Sequence, residues 1–226
     1  MKRGLFVSLL TCCLALSLSM NTFAYSSHSR QTSNDTKRIV LTFDDGPHPK
    51  QTLQILDLLD RYDIKATFFV IGVNVKNYPG IVAQVQARGH EIANHTSTHT
   101  HASRLDMSAL RSEITECEQE VYMQTGKHCT LFRPPEGAMN DGMRQVVKEL
   151  GYTSVLWTLD TRDWAHTPPD QISDYIIQNA KNGDIILMHD YIGANSPTLQ
   201  ALETFIPILL AQGFTFVTAG ELLKGV

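Results

Sequence analysis

Two adjacent carboxylates and two spaced imidazoles are the residues of this sequence best suited to chemistry. Asp44 and Asp45 follow the apolar run 39–41, and His95 and His99 stand four residues apart. Adjacent carboxylates repel each other and a structural role rarely requires them, although Asp-Gly-Pro is also favourable turn chemistry. The pattern predicts that one aspartate binds a divalent metal with the two histidines while the other accepts a proton.

Asp45, His95 and His99 are the expected metal ligands. Two nitrogens and one carboxylate oxygen leave open positions for water and substrate, as in catalytic zinc sites. A spacing of four residues predicts that both rings lie on one side of a helical turn. The alternative is a pair of surface histidines, and the offset of His101 makes it a less suitable ligand. Asp44 is then the expected base, which accepts a proton as metal-activated water attacks.

A further candidate is His189, which ends the apolar run 185–188. A histidine in such a position is often a satisfied core residue, but beside a metal and a base we expect a general acid. The remaining polar clusters that follow predicted strands are Arg133-Pro134-Pro135 and Asp160 with Asp163-Trp164. Five clusters at strand ends indicate one site at the carboxyl-terminal rim of a (β/α) barrel.

Strands and helices alternate from residue 38 onward. The apolar patterns predict strands at 39–43, 66–71, 91–94, 131–133, 153–158, 184–189 and 215–217. They predict helices at 49–61, 79–88, 108–123, 142–150, 169–180, 197–212 and 219–224. This alternation predicts a parallel sheet, and seven repeats predict a closed or nearly closed barrel in one α/β domain.

The first 24 residues have the features of a secretory signal peptide. Lys2 and Arg3 precede an apolar run, and residues 22–24 fit a cleavage site. The alternative is an uncleaved N-terminal membrane anchor. Residues 25–37 are polar and predict a flexible leader, so that the domain spans 38–226. Cleavage leaves 17 Lys and Arg against 23 Asp and Glu, a net charge of −6 that argues against nucleic acid as a partner.

Two of the four cysteines, Cys12 and Cys13, belong to the predicted signal peptide, and Cys117 and Cys129 remain. In a secreted protein these two can form a structural disulfide that ties a helix to the loop after it. Two free thiols are the alternative, because a bridge requires Cα atoms close together in the fold.

Taken together, the ordered motifs resemble those of polysaccharide deacetylases of carbohydrate esterase family 4, the group with the nodulation-protein-B homology domain. The motifs stand here at 42–47, 95–99, 133–137, 160–164 and 187–189, and the resemblance covers residues 38–224. It implies a distorted (β/α)7 TIM-like barrel and hydrolysis of an N- or O-acetyl group from a sugar polymer. It also implies that Asp44 is the base and that His189 protonates the leaving amine. The metal would be zinc, with cobalt as an alternative.

The resemblance also assigns supporting roles. Arg133 would orient Asp44 through a charge-assisted hydrogen bond. Asp163 would hold His189 and raise its pKa, so that the imidazole starts protonated.

On the substrate side, Trp164 and Leu187 would line an apolar pocket for the acetyl methyl group. The backbone N–H after Pro135 would stabilise the oxyanion of the tetrahedral intermediate. Glu136 stands where the family usually has an aromatic residue. Either a wall of a sugar-binding site is lost there, or this carboxylate simply faces solvent. Trp157 is assigned to the core because it lies within a predicted strand.

We therefore expect a monomeric hydrolase, secreted or associated with the cell wall, that removes N-acetyl groups from glycans containing N-acetylglucosamine. Peptidoglycan is the first expected substrate, chitin oligosaccharide the second and acetylxylan the third. One rival is a catalytically silent glycan-binding barrel, which would be expected to lack a ligand, the base or the acid. A second is an amidohydrolase of small non-sugar amides, which fits poorly with a secretion signal.

Overall fold

The computed structural model describes residues 37–101 and 104–225, in which strands alternate with helices. The strands are β1 (Lys37–Asp44), β2 (Thr67–Val70), β3 (Glu91–Asn94), β4 (Leu131–Phe132), β5 (Thr153–Ser154), β6 (Leu159–Asp160), β7 (Ile185–His189) and β8 (Phe214–Phe216). The helices are α1 (Gln51–Arg61), α2 (Gly72–Asn77), α3 (Ile81–Ala87), α4 (Met107–Thr125), α5 (Asp141–Glu149), α6 (Pro169–Asn179), α7 (Thr198–Ala211) and α8 (Ala219–Lys224). The predicted signal peptide and all of the predicted leader except Lys37 lie outside the described residues.

Seven strands form one curled sheet in the order β5-β4-β3-β2-β1-β7-β6, and β8 pairs with the start of β1. Every pair is parallel. This curled half-barrel confirms the predicted α/β class and (β/α)7 architecture in a single domain. The register places Asp44 at the end of β1 beside His189 at the end of β7. The expected base and the expected acid are therefore neighbours across one strand pair.

The prediction of one strand at 153–158 is wrong, because this segment divides into β5 and the approach to β6. Beyond Val155 the chain leaves β4, and β6 pairs with β7 instead. The carbonyl oxygens of Val155 and Leu156 accept hydrogen bonds from the Arg133 guanidinium at 3.0 and 3.2 Å. Among the described strands β5 and β6 do not pair with each other. The barrel is thus open at this point, and a buried arginine contacts the backbone that crosses the opening.

Residues on the two faces of the sheet enter different parts of the core. Ile39, Leu41 and Phe43 pack with the apolar faces of α1 and α7 in the main cluster. Val40, on the opposite face of β1, packs with Phe69 of β2 in a second cluster. All five side chains are fully buried, as expected for a parallel strand that is covered on both faces.

The short helix α2 is absent from the sequence prediction, which places a helix only at 79–88. No side chain caps the start of α2, so the sequence carries no capping signal there. Its first two amides, of Gly72 and Val73, donate to the carbonyl oxygens of Thr96 and Ser97 at 3.0 and 2.9 Å. Helix α2 therefore holds the segment between the two expected ligand histidines.

The disulfide offered as one alternative is not formed, because Cys117 and Cys129 are both free thiols. Cys117 is fully buried on α4, and its thiol donates to the Val70 carbonyl oxygen at 3.3 Å. Burial raises the pKa of Cys117 to about 12 and raises that of Cys129 well above its usual value. Both thiols are therefore protonated and poorly nucleophilic.

Replacing Gly72 with alanine should destabilise the protein, because an ideal Cβ would lie 2.9 Å from the Cys117 Cα and 3.1 Å from the Ser97 Cα. We expect urea unfolding to show a loss of about 1–3 kcal/mol. Gly142→Ala is the matched control: its Cβ would also lie 2.9 Å from a neighbour, but that neighbour is the sulfur of the flexible, exposed Met107. We expect no loss there, and equal losses in both variants would contradict the packing argument.

Candidate functional site

The expected site residues meet at the carboxyl ends of the strands. A cavity of about 530 Å³ lies there. Its lining residues are Asp44, Asp45, His95, His99, Glu136, Trp157, Asp160, Trp164, Leu187 and His189. Because the strands are parallel, the loops that follow them converge on one edge of the sheet. The cavity combines polar groups suited to proton transfer with an apolar wall.

Asp45, His95 and His99 form a set that fits a divalent metal ion. One ligand atom from each residue lies within 4.8 Å of the other two. Asp45 Oδ1 lies 3.5 Å from His95 Nε2 and 3.3 Å from His99 Nε2. This oxygen is buried and accepts no hydrogen bond from any described residue. A buried carboxylate oxygen that faces two imidazole nitrogens is an arrangement that a bound cation stabilises.

The segment between the histidines is not the helical turn that their spacing predicts. Thr96 and His99 both have positive φ values, of 71° and 57°, and no helix is assigned to residues 95–99. The Asn94 side chain accepts from the Thr96 amide at 2.9 Å, and the Thr96 hydroxyl accepts from the His99 amide at 3.1 Å. These side-chain hydrogen bonds form a compact loop, which brings the two imidazole centroids to 5.0 Å.

The tautomer of His95 is set by its second ring nitrogen. His95 Nδ1 lies 2.7 Å from the backbone carbonyl oxygen of Arg133, which can only accept, so Nδ1 carries the proton and donates it. The lone pair of Nε2 therefore faces the carboxylates. Burial lowers the pKa of His95 more than the nearby carboxylates raise it, which favours the neutral form that binds metals.

Arg133 also holds Asp44, as the resemblance implies. Arg133 Nη1 donates to Asp44 Oδ1 at 2.6 Å and to Thr42 Oγ1 at 2.8 Å. The arginine side chain is fully buried and that of Asp44 is 4% exposed. The guanidinium also lies 4.0 Å from the ring centroid of Phe69. Asp44 Oδ1 is thereby fixed, while Oδ2 lies 3.7 Å from His95 Nε2 beside the expected ligands.

His189, at the end of the neighbouring strand β7, lines the same cavity and is held by Asp163. His189 Nδ1 lies 2.8 Å from Asp163 Oδ1, and the His189 amide donates to Asp163 Oδ2 at 2.7 Å. Thr198 Oγ1 and the Trp164 amide also donate to this fully buried carboxylate. Burial opposes protonation of His189 most strongly, but the hydrogen bond and charge of Asp163, with other nearby carboxylates, raise its pKa to about 9. His189 is therefore protonated at neutral pH, with Nε2 left to carry a transferable proton.

The apolar wall contains Trp164 and Leu187, and Trp157 joins them. Trp157, which the sequence assigns to the core, is only partly buried and lines the cavity because its segment leaves the sheet before β6. The Trp164 indole donates to Asp160 at 3.3 Å, so Asp160 supports this wall. Pro135 is buried and does not line the cavity.

Glu136 follows Pro135 in a tight turn with a φ of 57°. Its side chain is 63% exposed, lines the cavity and lies 3.4 Å from His101 Nε2. Glu136 thus places a carboxylate at the rim of the cavity.

Asp190 is a residue that the sequence analysis leaves without a role. It is 2% exposed, and its Oδ2 accepts from the Thr52 hydroxyl at 2.6 Å. Burial raises the pKa of Asp190 to about 7 despite this hydrogen bond. Its amide donates to the Asp44 carbonyl oxygen at 3.2 Å, which joins the loop after β7 to the end of β1. Its position directly after His189 was the only sequence signal.

Comparison with known proteins identifies related enzymes. A family model described as polysaccharide deacetylase matches residues 31–155, more than half of the chain. The chain is 43% identical to a peptidoglycan-N-acetylglucosamine deacetylase of Bacillus cereus, over 86% of this chain and 92% of that protein. It is 36% identical to a chitooligosaccharide deacetylase of Rhizobium leguminosarum bv. trifolii, over 82% and 91%. The solved structure of a family 4 acetyl xylan esterase from Clostridium thermocellum, in complex with a cobalt ion, has a TM-score of 0.79 at 34% identity and covers 84% and 93%.

Asp163→Asn should lower the pKa of His189 from about 9 toward its ordinary value near 6.5. The substitution removes the charge that favours the imidazolium, while the burial that opposes it remains. An NMR titration of the histidine ring protons would measure the shift. His90 is the control, and its pKa, which burial lowers to about 4, should be the same in both proteins. A His189 pKa that stays near 9 in the variant would show that Asp163 does not set its protonation.

Proposed function

Because this chain belongs to the polysaccharide deacetylase family, carbohydrate esterase family 4, we propose that it removes N-acetyl groups from the N-acetylglucosamine residues of peptidoglycan. Members of this family are metal-dependent hydrolases. We further propose that the metal is zinc, that the protein is secreted or associated with the cell wall, and that it acts as a monomer.

The observation that carries the proposal is the convergence of two polar sets on one cavity. Asp44 with the three expected ligands forms one set, and His189, held by Asp163, forms the other. Hydrolysis of an amide requires an activated water, stabilisation of negative charge on the carbonyl oxygen, and a proton for the departing amine. The two sets and the expected cation match these three requirements.

The residues that would hold the metal are Asp45, His95 and His99. Two imidazoles and one carboxylate form a donor set typical of catalytic zinc, and the cobalt-bound relative is consistent with a divalent ion of this type. A bound divalent ion supplies Lewis-acid polarisation of the acetyl carbonyl and makes water more acidic. The chain itself holds the three ligand atoms close together. It also fixes the His95 imidazole in the tautomer that leaves the Nε2 lone pair free to bind a metal.

We assign the proton transfers to two residues of this chain. Asp44 accepts the proton of the attacking water, and the hydrogen bond from Arg133 holds the carboxylate in place. His189 donates a proton to the nitrogen of the sugar, and its raised pKa supplies that proton at neutral pH. Trp164 and Leu187, on the apolar wall, would contact the acetyl methyl group and exclude water from it.

The proposed substrate rests on similarity and on the cavity rim. The relative with 43% identity is named a peptidoglycan-N-acetylglucosamine deacetylase, which supports peptidoglycan as the first candidate. Chitin oligosaccharide and acetylxylan remain the second and third candidates, since relatives at 36% and 34% identity carry those names. A silent binding barrel is disfavoured because the expected ligands, base and acid are all present and meet in one cavity.

The proposed localisation follows from the signal-peptide pattern of residues 1–24, with a retained N-terminal anchor as the alternative. Within residues 37–101 and 104–225, no helix is both long and apolar enough to cross a bilayer. The relatives that modify bacterial cell walls act on a polymer outside the membrane, which agrees with export of this chain.

Measurement of acetate release tests both the proposed deacetylation and the assignment of Asp44 as the base. The zinc-reconstituted protein should release acetate from peptidoglycan, and Asp44→Asn should lower the rate by roughly 100- to 10,000-fold, the usual contribution of general base catalysis. The variant should still bind one zinc ion, because the expected ligand atoms belong to other residues. Asp45→Asn is the matched control at the next position, and it should lose both zinc affinity and turnover.

The substrates are compared side by side. Release from N-acetylglucosamine pentasaccharide but not from peptidoglycan would move the assignment to chitin oligosaccharides. Release from neither polymer by a zinc-loaded protein would contradict the proposal. Substantial turnover by Asp44→Asn would falsify the assignment of the base alone.

A further inference from the structure

Glu113 lies on α4, outside the lining of the cavity, and holds the loop between the two expected ligand histidines. Its carboxylate Oε2 accepts from the Thr98 amide at 2.7 Å, and its Oε1 accepts from the Thr98 hydroxyl at 2.6 Å. We propose that Glu113 is a positioning residue, which fixes Thr98 and thereby sets the place of His99 and the affinity of the site for zinc. The inference rests on the proposed function, because it takes Asp45, His95 and His99 as the metal ligands.

The two histidines are held to different degrees. His95 is 2% exposed, its amide donates to the Val70 carbonyl oxygen at 3.0 Å, and its ring donates to the Arg133 carbonyl oxygen at 2.7 Å. The His99 side chain is 32% exposed, and its backbone has a φ of 57°, in the left-handed region that non-glycine residues rarely adopt. Such a backbone persists only where its surroundings hold it. The position of the His99 ring therefore depends on the residues that flank it.

Hydrogen bonds that end on Glu113 order both residues that flank His99. A carboxylate can only accept, so the Thr98 hydroxyl donates its proton to Glu113. The Thr98 oxygen then accepts from the Thr100 hydroxyl, whose oxygen lies 2.7 Å away. Hydrogen bonds to a carboxylate are shorter and stronger than those between neutral groups, which agrees with the distances of 2.6 and 2.7 Å to Thr98. One side chain thus orders the residue before His99 and the residue after it.

Helix α4 also holds the other end of this loop. The carbonyl oxygen of Ile114, next to Glu113 on α4, accepts from the Asn94 side-chain amide at 2.8 Å. Ile114 is fully buried, and α4 has 19 residues with a side-chain cap at its start, so the helix is a firm support. The residue before each histidine is thus anchored to one of two consecutive residues of the same helix. This anchoring fixes the separation between the backbones that carry His95 and His99.

Removal of the Glu113 carboxylate tests the inference. Glu113→Ala should weaken zinc binding to the metal-free protein about tenfold, the lower end of the loss expected when a residue that supports a metal ligand is replaced. Glu113→Gln should lose less, because its amide keeps one acceptor for the Thr98 backbone and one donor toward the Thr98 hydroxyl oxygen. Glu116→Ala is the matched control, since Glu116 is an exposed glutamate about one turn further along α4. Its zinc affinity should match that of the wild type.

Competition with a chelating dye would measure the Kd for zinc, and thermal unfolding of the metal-free proteins would measure their stability. The inference predicts weaker zinc binding in the order wild type, Glu113→Gln, Glu113→Ala, with a Tm close to that of the wild type. Equal zinc affinity in the wild type and both Glu113 variants would overturn the inference, and a lowered Tm beside it would show that Glu113 only stabilises the fold.

Acetate release from peptidoglycan, measured on the same zinc-loaded proteins, separates this inference from the proposed function. Equal zinc affinities with acetate still released would overturn the inference and leave the function standing. The expected differences in zinc affinity, with no acetate released by the wild type, would overturn only the function.

Discussion

The site depends on one buried cation, the guanidinium of Arg133. Its side chain fixes Asp44 at 2.6 Å, and its backbone carbonyl oxygen fixes the tautomer of His95 at 2.7 Å. Transfer of an arginine and an aspartate out of water is expensive, and such a pair adds little net stability, although removal of one partner costs roughly 3–5 kcal/mol. The value of the pair lies in geometry, because a single residue positions the expected base and one expected metal ligand together.

The open barrel is what gives this cation its partners. Where β5 and β6 separate, the carbonyl oxygens of Val155 and Leu156 are available to accept from Arg133, and Trp157 becomes a cavity wall. A closed barrel would pair this backbone within the ladder and leave the guanidinium without two of its acceptors. On the other side of β1, the direct pairing with β7 brings His189 to the level of Asp44. The opening and this register together bring Asp44 and His189, the proposed proton acceptor and donor, to one cavity.

The sequence predicts the fold class and the polar residues that meet at one edge of the sheet, because both follow from short-range patterns. Strand and helix periodicity identify the alternating units, and the polar residues at strand ends do meet at one edge of the sheet. The spacing of His95 and His99 predicts a helical turn, which is wrong because Asn94 and Thr96 side chains fold the segment into a loop with positive φ values. The four-residue spacing alone could not show that these side-chain hydrogen bonds are favoured over a helical turn.

The other differences arise from contacts distant in sequence. Helix α2 lacks a capping signal and is held by the carbonyl groups of Thr96 and Ser97, more than twenty residues away. The division of the strand at 153–158 depends on the hydrogen bond from Arg133 to the Val155 carbonyl oxygen. The buried position of Asp190 depends on a hydrogen bond from Thr52, 138 residues away. Such pairings appear only when the chain is folded.

Arg133→Lys tests whether the guanidinium positions Asp44. Lysine keeps the buried positive charge, but one ammonium group cannot reproduce the planar set of donors that reaches Asp44, Thr42 and two carbonyl oxygens. The backbone carbonyl that holds His95 is retained in this variant. The measurement is acetate release together with zinc stoichiometry on folded protein. We expect a loss of roughly 100-fold in kcat, because the base is misplaced, with one zinc ion still bound. Turnover at the wild-type rate would show that the arginine does not position Asp44 for reaction.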